Sequence, residues 1–320
     1  MSDTNQTALL IKEFIIVGFP GFQDQASKKA LFTFFLIAYF LVLTLNLLLI
    51  GIFIVDRNLH TPMYFLVCSL AILDIVLSTN TVPRMLALFI SDSRSTPFVT
   101  CFAQIYFFLG LSSAECFLLG LMAYDRHIAI CKPLHYPSIM TNSRILKLII
   151  CSWLGGFLIP VIAVSLALRF PFCGPNKINQ CFCDYSSVLI LACGDILITS
   201  YVALALGLTI IFIPLIYIIF SYTKIIRSVL NISSSTGRMK AFSTCGTHLL
   251  VISLFLFLAA GVFVSYRIPG ASVDLRIMAA VLQNVFPPLI NPIIYCLRTK
   301  EIRDSIMRTL RKIRLIPTNT

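Results

Sequence analysis

The sequence predicts an all-α membrane protein, a bundle of seven transmembrane helices, and two observations carry that expectation. Of the 320 residues, 58% are hydrophobic and only 12% charged, with a mean hydropathy of +0.93. A soluble domain carries about 25% charged residues, so this chain has too few to cover a water-facing surface, and the apolar excess would drive association. The second observation is a series of seven unbroken apolar runs of about 20 residues or more, the length a helix needs to cross roughly 30 Å of hydrocarbon. The strands of a membrane barrel would instead read as alternating segments of about ten residues.

The runs lie near 31–55, 62–84, 101–124, 148–168, 197–223, 241–266 and 277–297. Span one, from Leu31 to Val55, contains no charge. Spans two and three each hold one acid, Asp74 and Glu115, and span four carries the only tryptophan, Trp153. Span five contains Pro214, span six has no proline from Ala241 to Tyr266, and span seven is interrupted by Pro287, Pro288 and Pro292. Prolines persist in such helices where neighbours satisfy the freed carbonyls, so they argue for a packed bundle. No charged start leading into a short apolar stretch and a cleavage site is present, so span one is expected to act as its own targeting signal.

An odd number of spans puts the termini on opposite sides, and the Lys/Arg bias decides which is which. With the amino end outside, the inner segments collect Arg57, Arg126, Lys132, Arg144, Lys147, Lys224, Arg227, Arg238, Lys240 and the basic residues from Arg298 to Arg314, sixteen of the 25. Lys28 and Lys29 against Arg57 point the other way and are outvoted by the later helices. The expectation is a multi-pass plasma-membrane protein with an extracellular amino terminus and a cytoplasmic carboxy terminus. The net charge of +12 is then an inner-surface property, suited to anionic membrane lipid or an acidic partner rather than nucleic acid. Asn5-Gln6-Thr7 is a glycosylation sequon on the outer tail. Five cysteines, Cys101, Cys173, Cys181, Cys183 and Cys193, fall on the oxidising side; an odd number leaves one unpaired. No imidazole or second cysteine pair with zinc spacing accompanies them, so disulfides are expected rather than a metal.

Asn46, Asp74, Glu115 and Asn291 lie within the spans, where an acid at mid-depth costs roughly 2.5–3.5 kcal/mol. Two readings stand: polar glue between helices, or a hydrated cluster that holds a cation at Asp74 and Glu115 or shares a proton, because two close carboxylates cannot both ionise cheaply. At the inner end of span three stands Met122-Ala123-Tyr124-Asp125-Arg126-His127-Ile128-Ala129-Ile130-Cys131. Taken alone, Arg126 could snorkel and complement the negative helix end. It coincides, however, with Asn291-Pro292-Ile293-Ile294-Tyr295 in span seven and with Pro214 and Tyr222 in span five. Arg126, Tyr222 and Tyr295 are expected to meet at the cytoplasmic mouth, where a change in helix packing opens or closes a cleft.

In these motifs the chain resembles the olfactory receptors, within the rhodopsin-like G-protein-coupled receptors. The resemblance rests on Leu59-His60-Thr61-Pro62-Met63-Tyr64-Phe65, Met122 to Cys131, Ser221-Tyr222, Lys240-Ala241-Phe242-Ser243-Thr244-Cys245-Gly246-Thr247-His248 and Pro288-Leu289-Ile290-Asn291-Pro292-Ile293-Ile294-Tyr295. It implies a long second outer loop held to span three by Cys101–Cys183, a further Cys173–Cys193 bridge, and Cys181 left over. His127 stands where such receptors commonly have tyrosine, Thr247 where serine is common, and Leu256 where tyrosine is usual. The loss of that hydroxyl puts polar contacts at that depth in doubt.

The resemblance also implies a ligand cavity between spans three, five, six and seven. Helical spacing sets Ile105, Phe108, Leu109 and Ser112 on one face of span three, with Leu206, Ala259, Ala260, Phe263 and Val281 facing them. Each could equally be packing core; together they describe an apolar cavity with one or two hydroxyls. Phe108 stands where amine receptors carry an aspartate, so a protonated amine lacks a counter-ion. Arg267 either pairs with a ligand carboxylate or faces headgroups and water. The implied function is binding of a small apolar odorant and activation of a heterotrimeric G protein, of the stimulatory type that raises cyclic AMP. Asp125, Arg126, Tyr222, Lys240, Asn291, Pro292 and Tyr295 would form the switch and coupling surface. The expected organisation is an outer tail over 1–28, the receptor bundle over 29–298, and a short eighth helix and tail over 299–320. No enzymatic activity and no cofactor are expected, since no nucleophile and base, zinc motif or phosphate loop is visible. A receptor for a small lipid or metabolite, or more remotely an ion-coupled transporter, is the alternative; a transporter would show a repeat of its two halves, which is not seen.

Overall fold

The structure is a computed structural model that describes residues 11–173, 175–231, 234–265, 268 and 270–312. The side chains of some helical residues, including Lys240 and Phe263, are outside that set, as are Asn5 and Arg267. Among the described residues seven helices are long and apolar enough to cross a membrane: Gln25–Val55, Pro62–Ser91, Phe98–Cys131, Asn142–Ala167, Leu197–Leu230, Ser235–Ser265 and Val273–Arg298. They are spans one to seven. Most run beyond the apolar stretches of the sequence because their ends are fixed by caps rather than by hydropathy. Asp24 accepts the Ser27 N–H at 2.8 Å, Thr141 that of Arg144 at 3.3 Å and Ser272 that of Leu275 at 3.2 Å, each satisfying an otherwise orphaned first-turn donor. Pro62 sits in the first turn of span two, where its missing N–H costs nothing.

Small residues set the closest helix contact. At Gly156 in span four an added Cβ would stand 2.7 Å from the Ala114 backbone nitrogen and 2.8 Å from the Gly110 carbonyl of span three. At Gly110 it would run 2.5 Å from the Phe157 ring. Dispersion between closely approaching backbones, rather than hydrophobic burial, drives helix association in lipid.

The tail before span one is not a free segment. Strand β1 (Glu13–Ile16) pairs antiparallel with β2 (Ser95–Pro97), in the connection between spans two and three, and parallel with β3 (Lys177–Ile178), in the loop after span four. Phe14 and Ile16 point inward and are fully buried, whereas Glu13 is exposed, the period-two pattern of a strand with one buried face. The Phe14 ring packs 5.6 Å from Phe98 and 5.8 Å from Phe172. Farther along, the Gly21 N–H donates to both oxygens of the Asp274 carboxylate at 3.1 Å. The tail therefore straps together both loops and the start of span seven. Disulfides join Cys101 to Cys183 and Cys173 to Cys193, and Cys181 is a free, buried thiol.

At the opposite face a helix over Lys300–Lys312 follows span seven. Ser305 Oγ donates to Asp56 Oδ2 at 2.6 Å and Arg308 pairs with the same oxygen at 2.6 Å, tying this helix to the end of span one. The Arg308 guanidinium and the Ser305 hydroxyl hold the Asp56 carboxyl well below the usual carboxylate range. A carboxyl depressed on folding adds stability above its ordinary value, about 3.9, and loses it as pH falls from there through the folded value. Amide exchange in 300–309, corrected for intrinsic rates, is expected to accelerate on acidification below about pH 4. Arg308→Ala is expected to give the same acceleration at neutral pH.

Candidate functional site

Three layers of side chains along span three carry the site. The layer under the β-sheet cap is apolar. Ile105 and Val281 are buried there, with Leu109 and Leu206 half-buried in the same cluster and Phe108 bridging it to the deeper core. Phe182, from the loop after β3, is buried above them with its ring 5.6 Å from that of Phe108. Gln104 fixes this loop: its Oε1 accepts the Cys183 N–H at 2.9 Å and its Nε2 donates to the Asn80 carbonyl of span two at 2.7 Å. Ser112 and Ala259 are half-buried. Ala260 is exposed on span six. Phe263 and Arg267 lie outside the described side chains.

The middle layer holds the buried polar residues. Asn291 Nδ2 faces Asp74 at 3.2 and 3.4 Å from the two carboxylate oxygens. Glu115 is buried at 4% exposure on span three. Asn46 lines the same space as Asp74 and Asn291 but turns its amide nitrogen away from the acid: its Nδ2 donates to the Val42 and Pro288 carbonyls, each at 2.9 Å. The reason is Pro292. A helical carbonyl is ordinarily taken by the N–H four residues on, and for Pro288 that residue is Pro292, which has none. The space lined by Asn46, Asp74, Asn291 and Tyr295 is tightly packed, and Asn46 Oδ1 and Asn291 Oδ1 are buried there without a partner among the described residues. Among the described residues no group of three or more His, Cys, Asp and Glu side chains is placed to hold a metal ion. Asn46→Leu would leave the Pro288 carbonyl buried without its donor, at a cost of about 1–3 kcal/mol. The expected outcome is a lowered midpoint in thermal unfolding of the purified protein.

The third layer lies at the far end of span three. Arg126, 8% exposed, donates through Nε to Asp125 Oδ2 at 2.8 Å, and its Nη2 forms a second, shorter contact with the same oxygen. Tyr136, in the turn beyond the span, donates to Asp125 Oδ1 at 2.8 Å. Burial, with the Asp125 charge beside it, pushes the Tyr136 phenol above its ordinary value, so it stays a donor. Around the pair, Ser221 Oγ donates to the Ala123 carbonyl at 2.9 Å and Tyr295 donates to Met122 Sδ at 3.9 Å. Tyr222 and Tyr295 are buried in the same core cluster as Met122 and Ala123 of span three. His248 of span six, 2% exposed, sets its ring 5.9 Å from Tyr295. Neither of its ring nitrogens has a partner among the described residues. The side chain of Lys240 is not described.

A family model described as olfactory receptor matches residues 35–312. The chain belongs to the olfactory receptor family. Human olfactory receptor 11H6 is 41% identical to this receptor over 306 residues, covering 96% of this chain and 92% of that one. Rat olfactory receptor 226 is 42% identical over 305 residues, covering 94% and 92%. In fold, this receptor superposes on the crystal structure of squid rhodopsin with a TM-score of 0.74 at 17% identity, over 93% of this chain and 91% of that one. The family is one of G-protein-coupled receptors in the plasma membrane, not of enzymes, with a small-molecule ligand and a G protein as partners. Sequence reasoning quoted His248 only within a motif and missed Phe182, Gln104 and Tyr136 as parts of this receptor's site. The signals that could have found them are the C-x-C around Phe182 and the spacing of Gln104 one turn after Cys101.

Proposed function

We propose that this receptor binds a small, uncharged and largely apolar odorant in the layer under the cap and activates a stimulatory G protein at the opposite, cytoplasmic face. The amino-terminal tail and the β-sheet cap are then extracellular, as the basic residues of the opposite loops favour. The observation that carries the reading is that a single helix, span three, bears both ends of the device: Ile105, Phe108 and Leu109 in the apolar layer, and Asp125 with Arg126 at the other end. Ligand contacts that differ between two packings of this helix against spans five and six amount to a coupling free energy, typically about 1–3 kcal/mol, and require no bond chemistry. Asp125 and Tyr136 hold Arg126 in the inactive packing; movement of span six frees it for the G protein. Beside it, Leu134 is 92% exposed on the turn between Lys132 and His135, an apolar knob ringed by basic groups that suits a protein partner.

The test is cyclic AMP output in cells that supply a stimulatory G protein, against a panel of acids, alcohols, aldehydes and esters, with Arg267→Ala in parallel. Responses to apolar alcohols, aldehydes or esters support the reading, and a receptor at the cell surface that answers only to amines overturns it. Selective loss of responses to acids in Arg267→Ala assigns Arg267 to a carboxylate; equal responses remove that role.

A further inference from the structure

The cap sets a problem of access. β1 is paired along both edges, Phe14, Ile16 and Phe182 are buried beneath it, and Gly21 is bonded to the start of span seven. Over spans one, two, three and seven, the aqueous route into the apolar layer is covered by hydrogen-bonded backbone. Between spans three, five and six the situation differs. A void of about 20 Å³ lies at mid-depth against Pro214 of span five and Phe255 and Leu256 of span six. Its floor is Cys116 and Leu119 of span three, 7% and 3% exposed, and its outer rim is Ile211, 37% exposed on the bundle surface. The void therefore grades from a lipid-facing rim to a buried floor.

We propose that small apolar ligands enter this receptor from the bilayer, through a side port between spans five and six that ends on Cys116 and Leu119. Three features support it. Every side chain lining the void is apolar or a thiol, so a charged or strongly hydrated molecule would lose its water without compensation, while a molecule already dissolved in lipid loses nothing. Pro214 forms one wall and supplies no N–H to the Ile210 carbonyl, which leaves the helix locally weaker and able to bend. Beside the buried Pro214, Ile218 and Ile252, the lining side chains Leu215, Phe255 and Leu256 are only half-buried, so rotamer changes of these three would widen the gap. An apolar void of this kind stays dry. The identity of the ligand rests on the odorant reading; the port does not.

The experiment uses the full-length receptor in lipid nanodiscs and an apolar photoreactive probe, a trifluoromethyl aryl diazirine, with a quaternary ammonium diazirine as its aqueous counterpart. Labelled residues are read by mass spectrometry. The apolar probe is expected to label Cys116 and Leu119 as well as lipid-facing Leu158, and the charged probe to leave Cys116 and Leu119 unlabelled. In Ile211→Trp, floor labelling is expected to fall about tenfold, as one forced side-chain displacement in a packed wall would produce, with Leu158 unchanged. In Ile211→Ala it should rise, which separates a blocked port from a misfolded protein. The port is overturned if Leu158 labels while the floor does not, or if the floor labels equally in Ile211→Trp. A receptor that labels on the floor yet gives no cyclic AMP response to any odorant would count against the functional reading and leave the port standing.

Discussion

Arg126→Ala is expected to abolish odorant-evoked cyclic AMP while leaving the receptor at the cell surface. Asp125→Asn is expected to do the opposite and raise the basal signal. The two outcomes follow from one contact. Asp125 is buried and holds Arg126 through two guanidinium contacts, with Tyr136 on its other oxygen. Removing one partner of a buried ion pair costs about 3–5 kcal/mol, because the survivor is left uncompensated. In Arg126→Ala the survivor is Asp125, which keeps Tyr136, so the fold persists but the group proposed to meet the G protein is gone. In Asp125→Asn the survivor is a cation at the mouth of the bundle, free to turn outward. About 1.4 kcal/mol of lost restraint shifts the equilibrium tenfold, enough to read in an unstimulated assay. A wild type that responds to the odorant panel and an Arg126→Ala that responds equally would contradict the mechanism. Tyr136→Phe, which deletes only one hydrogen bond, should raise basal output by less than Asp125→Asn.

Gly156→Leu is expected to remove most folded receptor from the membrane, and Gly156→Ala to lower the thermal midpoint measurably. The Cβ alone meets the backbone nitrogen of Ala114 and the carbonyl of Gly110 below 3 Å, and backbone cannot rotate aside. Overpacking typically costs roughly 1–3 kcal/mol where side chains yield; here spans three and four have to separate, and the Tyr106 bond to the Phe157 carbonyl and the Trp153 bond to Ser69 are strained with them. Fluorescence-detected size exclusion of the solubilised protein reads the result. Gly51→Leu and Gly207→Leu are the controls, because nothing lies within 4 Å of a Cβ at either position. Equal yields of Gly156→Leu and the two controls would refute the close contact.

The bundle could be read from the sequence because lipid leaves few choices: an apolar run long enough to span has to be a helix, and the five motifs fell on the helices they suggested. The helix ends could not, because hydropathy stops at the hydrocarbon edge, while Asp24 and Ser272 cap their helices outside it. The β-sheet was invisible for a different reason. Glu13–Ile16 is four residues long and its partners are shorter still, so none carries enough local signal, and pairing depends on where distant loops come to rest. Helical spacing put Ile105, Phe108 and Leu109 on one face of span three, and they pack in one apolar cluster with Val281. The exposure of Ala260 on span six was not legible in its spacing, nor was the bond from Asn46 to the Pro288 carbonyl orphaned by Pro292, which no count of side-chain charges reveals.

The strap formed by β1 also has a consequence in time. It leaves the ribosome before any of the seven spans, yet Asn176, which donates to the Glu13 carbonyl, is 163 positions away, beyond four completed spans. Its β2 partner, Ser95–Pro97, follows after two spans, but until Lys177–Ile178 emerges the other edge of Glu13–Ile16 stays bare, the condition in which a strand pairs with whatever it meets. Closure of the sheet thus marks a chain whose first four helices have been inserted in the right order. A chain that stalls before Ile178 advertises its incompleteness at Glu13–Ile16.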